Sequence, residues 1–121
     1  MRALIVDDSR FIRQHARQLL ERIGVSCADA NDGREALQLL GGPAAFDLML
    51  LDVNMPKMGG LECVKALRDA GLRSPKVIMV TSEADNTLIC SALDNGADEF
   101  LMKPFTLDSL REKMAILGLA A

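Results

Sequence analysis

The 121-residue sequence has no tryptophan and no tyrosine, and only four phenylalanines. It therefore lacks stacking platforms for a flavin ring or for single-stranded bases. Its 14 Lys and Arg are outnumbered by 17 Asp and Glu, for a formal charge of −3. The basic residues never gather into a run that could neutralise a row of phosphates, so nucleic acid is not an expected partner. Cysteine is scarce and odd in number: Cys27, Cys63 and Cys90 are far apart and form no C-x-x-C pair, which argues against a zinc site and a disulfide framework. A reduced cytoplasmic setting is expected. No apolar run approaches membrane-spanning length, and the start, Met1 to Asp8, meets carboxylates too early for a secretory leader. The one histidine, His15, falls inside a helical pattern between Arg13 and Arg17 and reads as a solvated or half-buried helix residue rather than a phosphorylated one.

What is present is a globular composition, 50% apolar and 26% charged, in a length that suits one domain over residues 1–121 with no room for an output domain. Short apolar runs alternate with helix-period segments five times, the pattern of βα units around a parallel sheet. Ala3 to Val6 predicts the first strand, and a helix from about Ser9 carries Ile12, Ala16, Leu19, Leu20 and Ile23 until Gly24 stops it. Val25 to Ala30 is a weaker strand, after which Asp32 with Glu35 resembles a capping box for a short helix through Leu40. Phe46 to Asp52 is nearly continuous in apolar residues and predicts a central strand buried on both faces. A helix carrying Leu61, Val64 and Leu67 follows, then a strand from Lys76 to Thr81. Asp85 is the expected cap of a helix with Leu88, Ala92 and Leu93, Glu99 to Met102 is the fifth strand, and Thr106 caps a last helix with Leu107, Leu110, Met114 and Leu117.

The polar residues fall where such a sheet has least use for them. Asp7 and Asp8 follow the first strand, Asp52 ends the third, Thr81 ends the fourth and Lys103 follows the fifth. All are carboxyl ends, which in an open parallel α/β sheet share one edge where ligands bind. Carboxylates brought within a few Å repel by about 4 kcal/mol per close pair at an effective dielectric near ~20, so the cluster calls for a cation. Hard oxygen ligands without His or Cys suit Mg²⁺. Lys103 and Thr81 then supply a point charge and a hydroxyl around a phosphoryl group carried by Asp52. Each feature has a plainer reading: Asp7-Asp8 as acids before a helix N-terminus, Thr81 as a β-branched strand residue, Lys103-Pro104 as a turn. Their combination favours the site.

In Val6-Asp7-Asp8-Ser9, Leu51-Asp52-Val53-Asn54-Met55-Pro56, Gly59-Gly60, Val80-Thr81-Ser82-Glu83 and Lys103-Pro104-Phe105 the chain resembles the receiver domains of two-component response regulators, and among them the stand-alone chemotaxis regulators of the CheY type. The resemblance runs from Ala3 to about Leu117. It implies a single flavodoxin-like (βα)5 doubly wound α/β domain, a five-stranded parallel sheet of order 2-1-3-4-5, and a phospho-accepting switch rather than an enzyme with a separate substrate. Asp52 would accept a phosphoryl group from a sensor histidine kinase. Asp8, Asp52 and the backbone carbonyl of Asn54 would ligate Mg²⁺, with Asp7 acting through water. Lys103 would pair with the phosphoryl oxygens, a cis bond would join it to Pro104, and Thr81 would act as switch together with Phe100. Asn54 and Glu83 would border the path of the hydrolytic water and tune autodephosphorylation. The resemblance further implies a monomer that engages a downstream protein, in the chemotaxis case a flagellar motor switch. A phosphorelay intermediate, or a receiver cut from a longer regulator, is the alternative within the class.

Two other classes share part of this pattern. Phosphatases with an aspartate nucleophile need Asp-x-Asp so that the second acid can protonate the leaving group, and here Asn54 takes that place. A flavodoxin-type FMN carrier needs a Ser/Thr-rich loop after the first strand and flanking aromatics, which are absent.

Overall fold

The structure, a computed structural model, describes residues 1–55, 57–82 and 86–119. Strands and helices alternate throughout: β1 (Arg2–Val6), α1 (Arg10–Arg22), β2 (Ser26–Ala30), α2 (Gly33–Leu40), β3 (Leu48–Asp52), α3 (Gly60–Asp69), β4 (Lys76–Thr81), α4 (Asn86–Asp94), β5 (Glu99–Met102) and α5 (Leu107–Ile116). The strands form one sheet in the order β2-β1-β3-β4-β5, every neighbouring pair parallel. The chain thus starts near the middle, winds one way to the β2 edge, crosses back, and finishes at β5.

Strand alternation divides the core into two layers. Ala3, Ile5, Leu48, Leu50, Ile78, Val80 and Leu101 face one side, where Ala16, Leu19 and Leu20 of α1 and Leu110 and Met114 of α5 cover them. Leu4, Val6, Met49, Leu51, Val77 and Met79 face the other, covered by Ala36 of α2, Cys63, Val64 and Leu67 of α3, and Ala92 of α4. A strand covered on both faces has no polar side to show, which is why β3 reads as an unbroken apolar run. All five residues of β3 are buried, and the last is Asp52.

The helix caps hold the strand-to-helix turns in place. Ser9 accepts from the Ile12 amide at 3.3 Å and opens α1. Asp32 Oδ1 accepts from the Arg34 and Glu35 amides at 2.9 and 3.0 Å. The reciprocal half of the expected box is missing there, because the Glu35 carboxylate accepts instead from Asn31 Nδ2 at 2.9 Å. A complete box does occur at α5, between Thr106 and Ser109. Gly24 follows α1 with φ +82°, the left-handed conformation that suits glycine.

Several boundaries differ from expectation. β2 begins at Ser26 rather than Val25, and β3 at Leu48 rather than Phe46. Before β3, Asp47 is held to Arg2 by two backbone-involving bonds, with its carboxylate on the Arg2 amide and its own amide on the Arg2 carbonyl. In α3 the wholly buried stripe is Gly60, Cys63, Val64 and Leu67, with Leu61 half-buried beside it. Leu93, expected on the apolar face of α4, is 41% exposed. Leu88 and Ala92 are one helical turn apart and face the sheet, and the next residue along lies about 100° around the helix from Ala92. Asp85 and Glu83 lie outside the described residues, as does Pro56.

Candidate functional site

Asp7 is the first residue past β1 and is 3% exposed. Each of its polar atoms has a partner. Its amide donates to the Ala30 carbonyl at 3.2 Å, and its carbonyl accepts from Arg13 Nη1 at 2.7 Å. Of its carboxylate oxygens, Oδ1 accepts from the Ser9 amide at 2.9 Å and Oδ2 lies 2.9 Å from Lys103 Nζ. Asp8, beside it, is exposed. Asp52 is 6% exposed at the end of β3, and its Oδ1 accepts from the same Lys103 Nζ at 3.1 Å. One carboxylate oxygen from each of Asp7, Asp8 and Asp52 lies within 4.8 Å of the other two.

Three carboxylates facing one ammonium leave the site short of positive charge. Burial pushes the Asp52 carboxyl above the usual carboxylate range, the charge of Asp7 adds to this, and Lys103 opposes it. For Lys103 burial acts downward, but the hydrogen bonds and charges of Asp7 and Asp52 outweigh it, so its ammonium is held more firmly than that of a free lysine. The donor set is all oxygen, two members buried and one open to solvent, with no His or Cys in the group. That arrangement fits a hard divalent cation that keeps part of its water, and Mg²⁺ is the cation of this chemistry.

Backbone contacts fix this geometry. The Val53 amide donates to the Val80 carbonyl and the Gly60 amide to the Val53 carbonyl, tying the loop after β3 to β4 and to the start of α3. A side chain at position 60 would collide with the Asp52 carbonyl oxygen, so glycine is required for α3 to start this close to β3. The Lys103 amide donates to the Thr81 carbonyl at 2.7 Å, and the Lys103–Pro104 bond is cis, as the resemblance implied. Ser74–Pro75 is also cis, which nothing in the sequence had suggested.

Of the remaining candidates, Thr81 is 2% exposed at the end of β4. Phe100 is half-buried on the same face of the sheet, packed on the layer beneath α3 and α4, with the Lys113 ammonium 4.8 Å from its ring centroid. Asn54 is exposed and lines an open recess of about 600 Å³ with Asp8, Met55 and Glu62. Glu83 lies outside the described residues. His15 is half-buried, its ring 5.7 Å from that of Phe105 and its Nε2 3.4 Å from the Phe105 carbonyl.

The contacts of Arg13, Arg17 and Lys113 were missed from the sequence. Arg13 and Arg17 appeared only as flanks of His15, yet their i, i+4 spacing on α1 brings both to Asp29 of β2. Lys113 is one further helical turn along α5 from Ser109, a position whose neighbour on β5 cannot be read from local pattern.

A doubly wound parallel sheet of order 2-1-3-4-5, with buried acids and a lysine at its carboxyl edge, defines the flavodoxin-like class of α/β domains, which bind their ligands at that edge. Within that class, the chain belongs to the response regulator receiver domain family, whose profile it matches over residues 3–115. It is therefore a receiver domain of two-component systems, a family of phospho-accepting switches that generally use Mg²⁺ at an acidic pocket. Response regulator MprA of Mycolicibacterium vanbaalenii is 38% identical over 117 residues, covering 97% of this chain but 50% of that protein, so this chain spans about half the length of such relatives. Chemotaxis protein CheY1 of Helicobacter pylori is 34% identical over 119 residues and is covered over 96% of its length. Among solved structures, the chemotaxis protein CheY4 of Vibrio cholerae superposes with a TM-score of 0.87 at 35% identity, covering 95% of this chain and 96% of that one.

Proposed function

We propose that Asp52 is the phosphoacceptor of a Mg²⁺-dependent switch that takes its phosphoryl group from a sensor histidine kinase and passes the signal to a protein target. The observation that carries this reading is one lysine ammonium bonded to two buried carboxylates, Asp7 and Asp52, with a third, Asp8, open beside them. A buried site does not keep three acids for stability, since each further negative charge costs the folded state. Asp8, Asp52 and the Asn54 carbonyl are the proposed Mg²⁺ ligands, and Asp7 acts through water. The bound cation offsets the charge of the acids and of the incoming phosphoryl oxygens.

Chemistry at this chain's residues follows. An Asp52 oxygen attacks phosphorus, a P–O bond forms as the P–N bond to the donor imidazole breaks, and the imidazole leaves with the bonding pair. Lys103 already touches the attacking carboxylate and is placed to exchange one carboxylate contact for a phosphoryl oxygen. Thr81, then, donates its hydroxyl to another phosphoryl oxygen. Asn54 and Glu83 are polar, so water reaches the acyl phosphate and its lifetime is seconds to minutes rather than hours. Radiolabel from a phosphorylated kinase or acetyl phosphate is expected on wild type, and lost in Asp52→Asn and in excess EDTA. Equal labelling of Asp52→Asn sinks the assignment.

The finer role proposed is chemotaxis, by a cytoplasmic monomer acting on a flagellar motor switch. Its support is the near full-length likeness to CheY1 and CheY4. No helix among the described residues is long and apolar enough to cross a membrane. A second reading has its own observation: the half-length match to MprA favours a receiver that belongs to a longer regulator, or one serving a phosphorelay. Phosphotransfer profiling against the sensor kinases of the same genome separates the two.

A further inference from the structure

We infer that Arg13 is a positioning residue of the acidic site: held from behind by Asp29, it fixes the Asp7–Asp8 peptide and so the direction in which Asp8 offers its carboxylate to a divalent cation. The inference rests on the cation site proposed above and adds to it a part lying outside the ligand set.

The guanidinium of Arg13 spans two elements. Its Nη1 donates to the Asp7 main-chain carbonyl at 2.7 Å, while its Nε donates to Asp29 Oδ2 at 3.1 Å. The other Asp29 oxygen, Oδ1, accepts from Arg17 Nη2 at 3.1 Å, and Arg17 Nη1 donates to the Cys27 carbonyl at 3.0 Å. Two arginines one helical turn apart on α1 thus grip one carboxylate on the edge strand β2. The Arg13 side chain is 12% exposed, so its planar fork has little freedom to swing away.

The Asp7 carbonyl belongs to the same planar peptide unit as the Asp8 amide, so setting the direction of one sets the other. On the other side of Asp7, its own amide is fixed on the Ala30 carbonyl, and its carboxylate takes the Ser9 amide and Lys103. Arg13 supplies the remaining constraint, on the one peptide plane that leads directly into Asp8. Asp8 needs it most, because it is the exposed member of the acidic group, and on its far side the chain is already anchored by Ser9, which caps α1.

A guanidinium near three acids could instead act by charge alone, and the two roles predict opposite signs. As a counter-charge, Arg13 competes with the cation, and removing it would tighten cation binding. As a positioning residue it aims a ligand, and removing it weakens binding. Lysine keeps the charge but cannot bond Asp7 and Asp29 at once in the same fork.

The test is the affinity for Mg²⁺, measured by isothermal calorimetry and by competition with Mn²⁺ in electron paramagnetic resonance, because the chain has no Trp or Tyr to report binding optically. Arg13→Ala, Arg13→Lys and Asp29→Asn are each expected to weaken binding at least fivefold, whereas Arg17→Gln, which leaves both bonds of Arg13 in place, stays within twofold of wild type. Melting is recorded for every variant, and affinities are compared well below the transition, since a merely structural role lowers the melting temperature and leaves the affinity alone. Arg13→Ala binding as tightly as wild type or tighter, or Arg13→Lys matching wild type, overturns the inference. Wild type that binds neither ion, or binds no better than Asp8→Ala, overturns the cation site itself and the inference with it.

Discussion

Ionised Asp52 carries a cost in the folded protein, which the proposed cation would offset. Burial and Asp7 raise its pKa above the ordinary carboxylate value, so the folded chain holds a proton there more tightly than the unfolded chain does. Ionised Asp52 therefore opposes folding at neutral pH, and the opposition fades as pH falls through the raised pKa towards the ordinary value. Asp52→Asn is expected to melt higher at pH 7 by on the order of 1 kcal/mol, about 4 °C in a chain this size. The gain should shrink at acid pH and also in millimolar Mg²⁺. Equal melting of the two proteins at pH 7 without divalent ions refutes the argument; thermal denaturation followed by circular dichroism at 222 nm reads it. Lys57 is a second residue-scale cost: it is the only described non-glycine residue with positive φ, at 68°, in the loop between β3 and α3. Left-handed backbone costs an L-residue about 1 kcal/mol, part of which glycine gives back through its freer unfolded state. Lys57→Gly is expected to raise stability by about 0.5 kcal/mol in a urea titration, and a clear loss would mean the loop depends on the lysine side chain.

Among the elements, α3 depends on one residue more than its apolar stripe suggests. Near the end of α3, Arg68 donates from Nε to the Gly96 carbonyl at 2.9 Å, from Nη1 to the Leu72 carbonyl at 2.9 Å, and from Nη2 to Asp98 Oδ2 at 2.8 Å. Asp98 Oδ2 also accepts from the Val77 amide at 2.8 Å, so a single guanidinium ties α3, the turn after α4 and the start of β4 together. Gly96, at φ +110°, leaves no space for a side chain because Arg68 already lies against it. Arg68→Ala orphans several partly buried acceptors and is expected to cost about 2–3 kcal/mol. Lysine should restore less than half, since it lacks the fork, and a loss below ~1 kcal/mol by urea denaturation would show water replacing the clamp. The elements also divide by how far the sequence disclosed them. Both β4 and β5 were bounded correctly, because each is an apolar run closed by a polar residue with a task at the site. β2 and α4 were less legible: β2 is an edge strand of small and polar residues, and the exposure of Leu93 depends on which α4 residues meet the sheet. The site was readable for the same reason as β4, since Asp7, Asp8, Asp52, Thr81 and Lys103 all sit where strands stop. Arg13 was hidden because its partner Asp29 lies on another element, and no local pattern reports a tertiary pairing.

At the scale of the molecule, the proposed switch would run through the register of the sheet. Thr81 pairs with Met102 and Met79 pairs with Phe100, so Thr81 and Phe100 project to the same side of adjoining strands, two residues apart along the register. In the resting state Phe100 is half-buried beneath the Lys113 ammonium, and Lys113 is itself 3.4 Å from Glu99 Oε1. In that switch, drawing Thr81 towards a phosphoryl oxygen would vacate volume for the ring to fill, burying apolar surface at roughly 25 cal/mol per Å² and breaking the cation–π contact with Lys113. Phenylalanine has no hydroxyl to desolvate on this path, which eases the inward state. With fluorophenylalanine at the four Phe positions, the Phe100 resonance, identified by its loss in Phe100→Tyr, is expected to shift when Mg²⁺ and beryllofluoride are added to wild type. In Thr81→Ala it should stay in place although beryllofluoride still binds; a full shift in that variant breaks the proposed link.

The direction of the strands has an architectural consequence. Every strand runs the same way and every helix returns, so the acidic site occupies one pole of the domain, while Arg2, where β1 begins, and the end of α5 both lie towards the opposite pole, where Leu119 and Ile23 line one groove. Chemistry and attachment are thus segregated. A fluorescent tag, a surface tether or a covalently fused effector joined beside Arg2 or just beyond α5 would hang from the pole remote from Asp52. Such an effector would learn the state of Asp52 only through the body of the sheet and the helices packed on it.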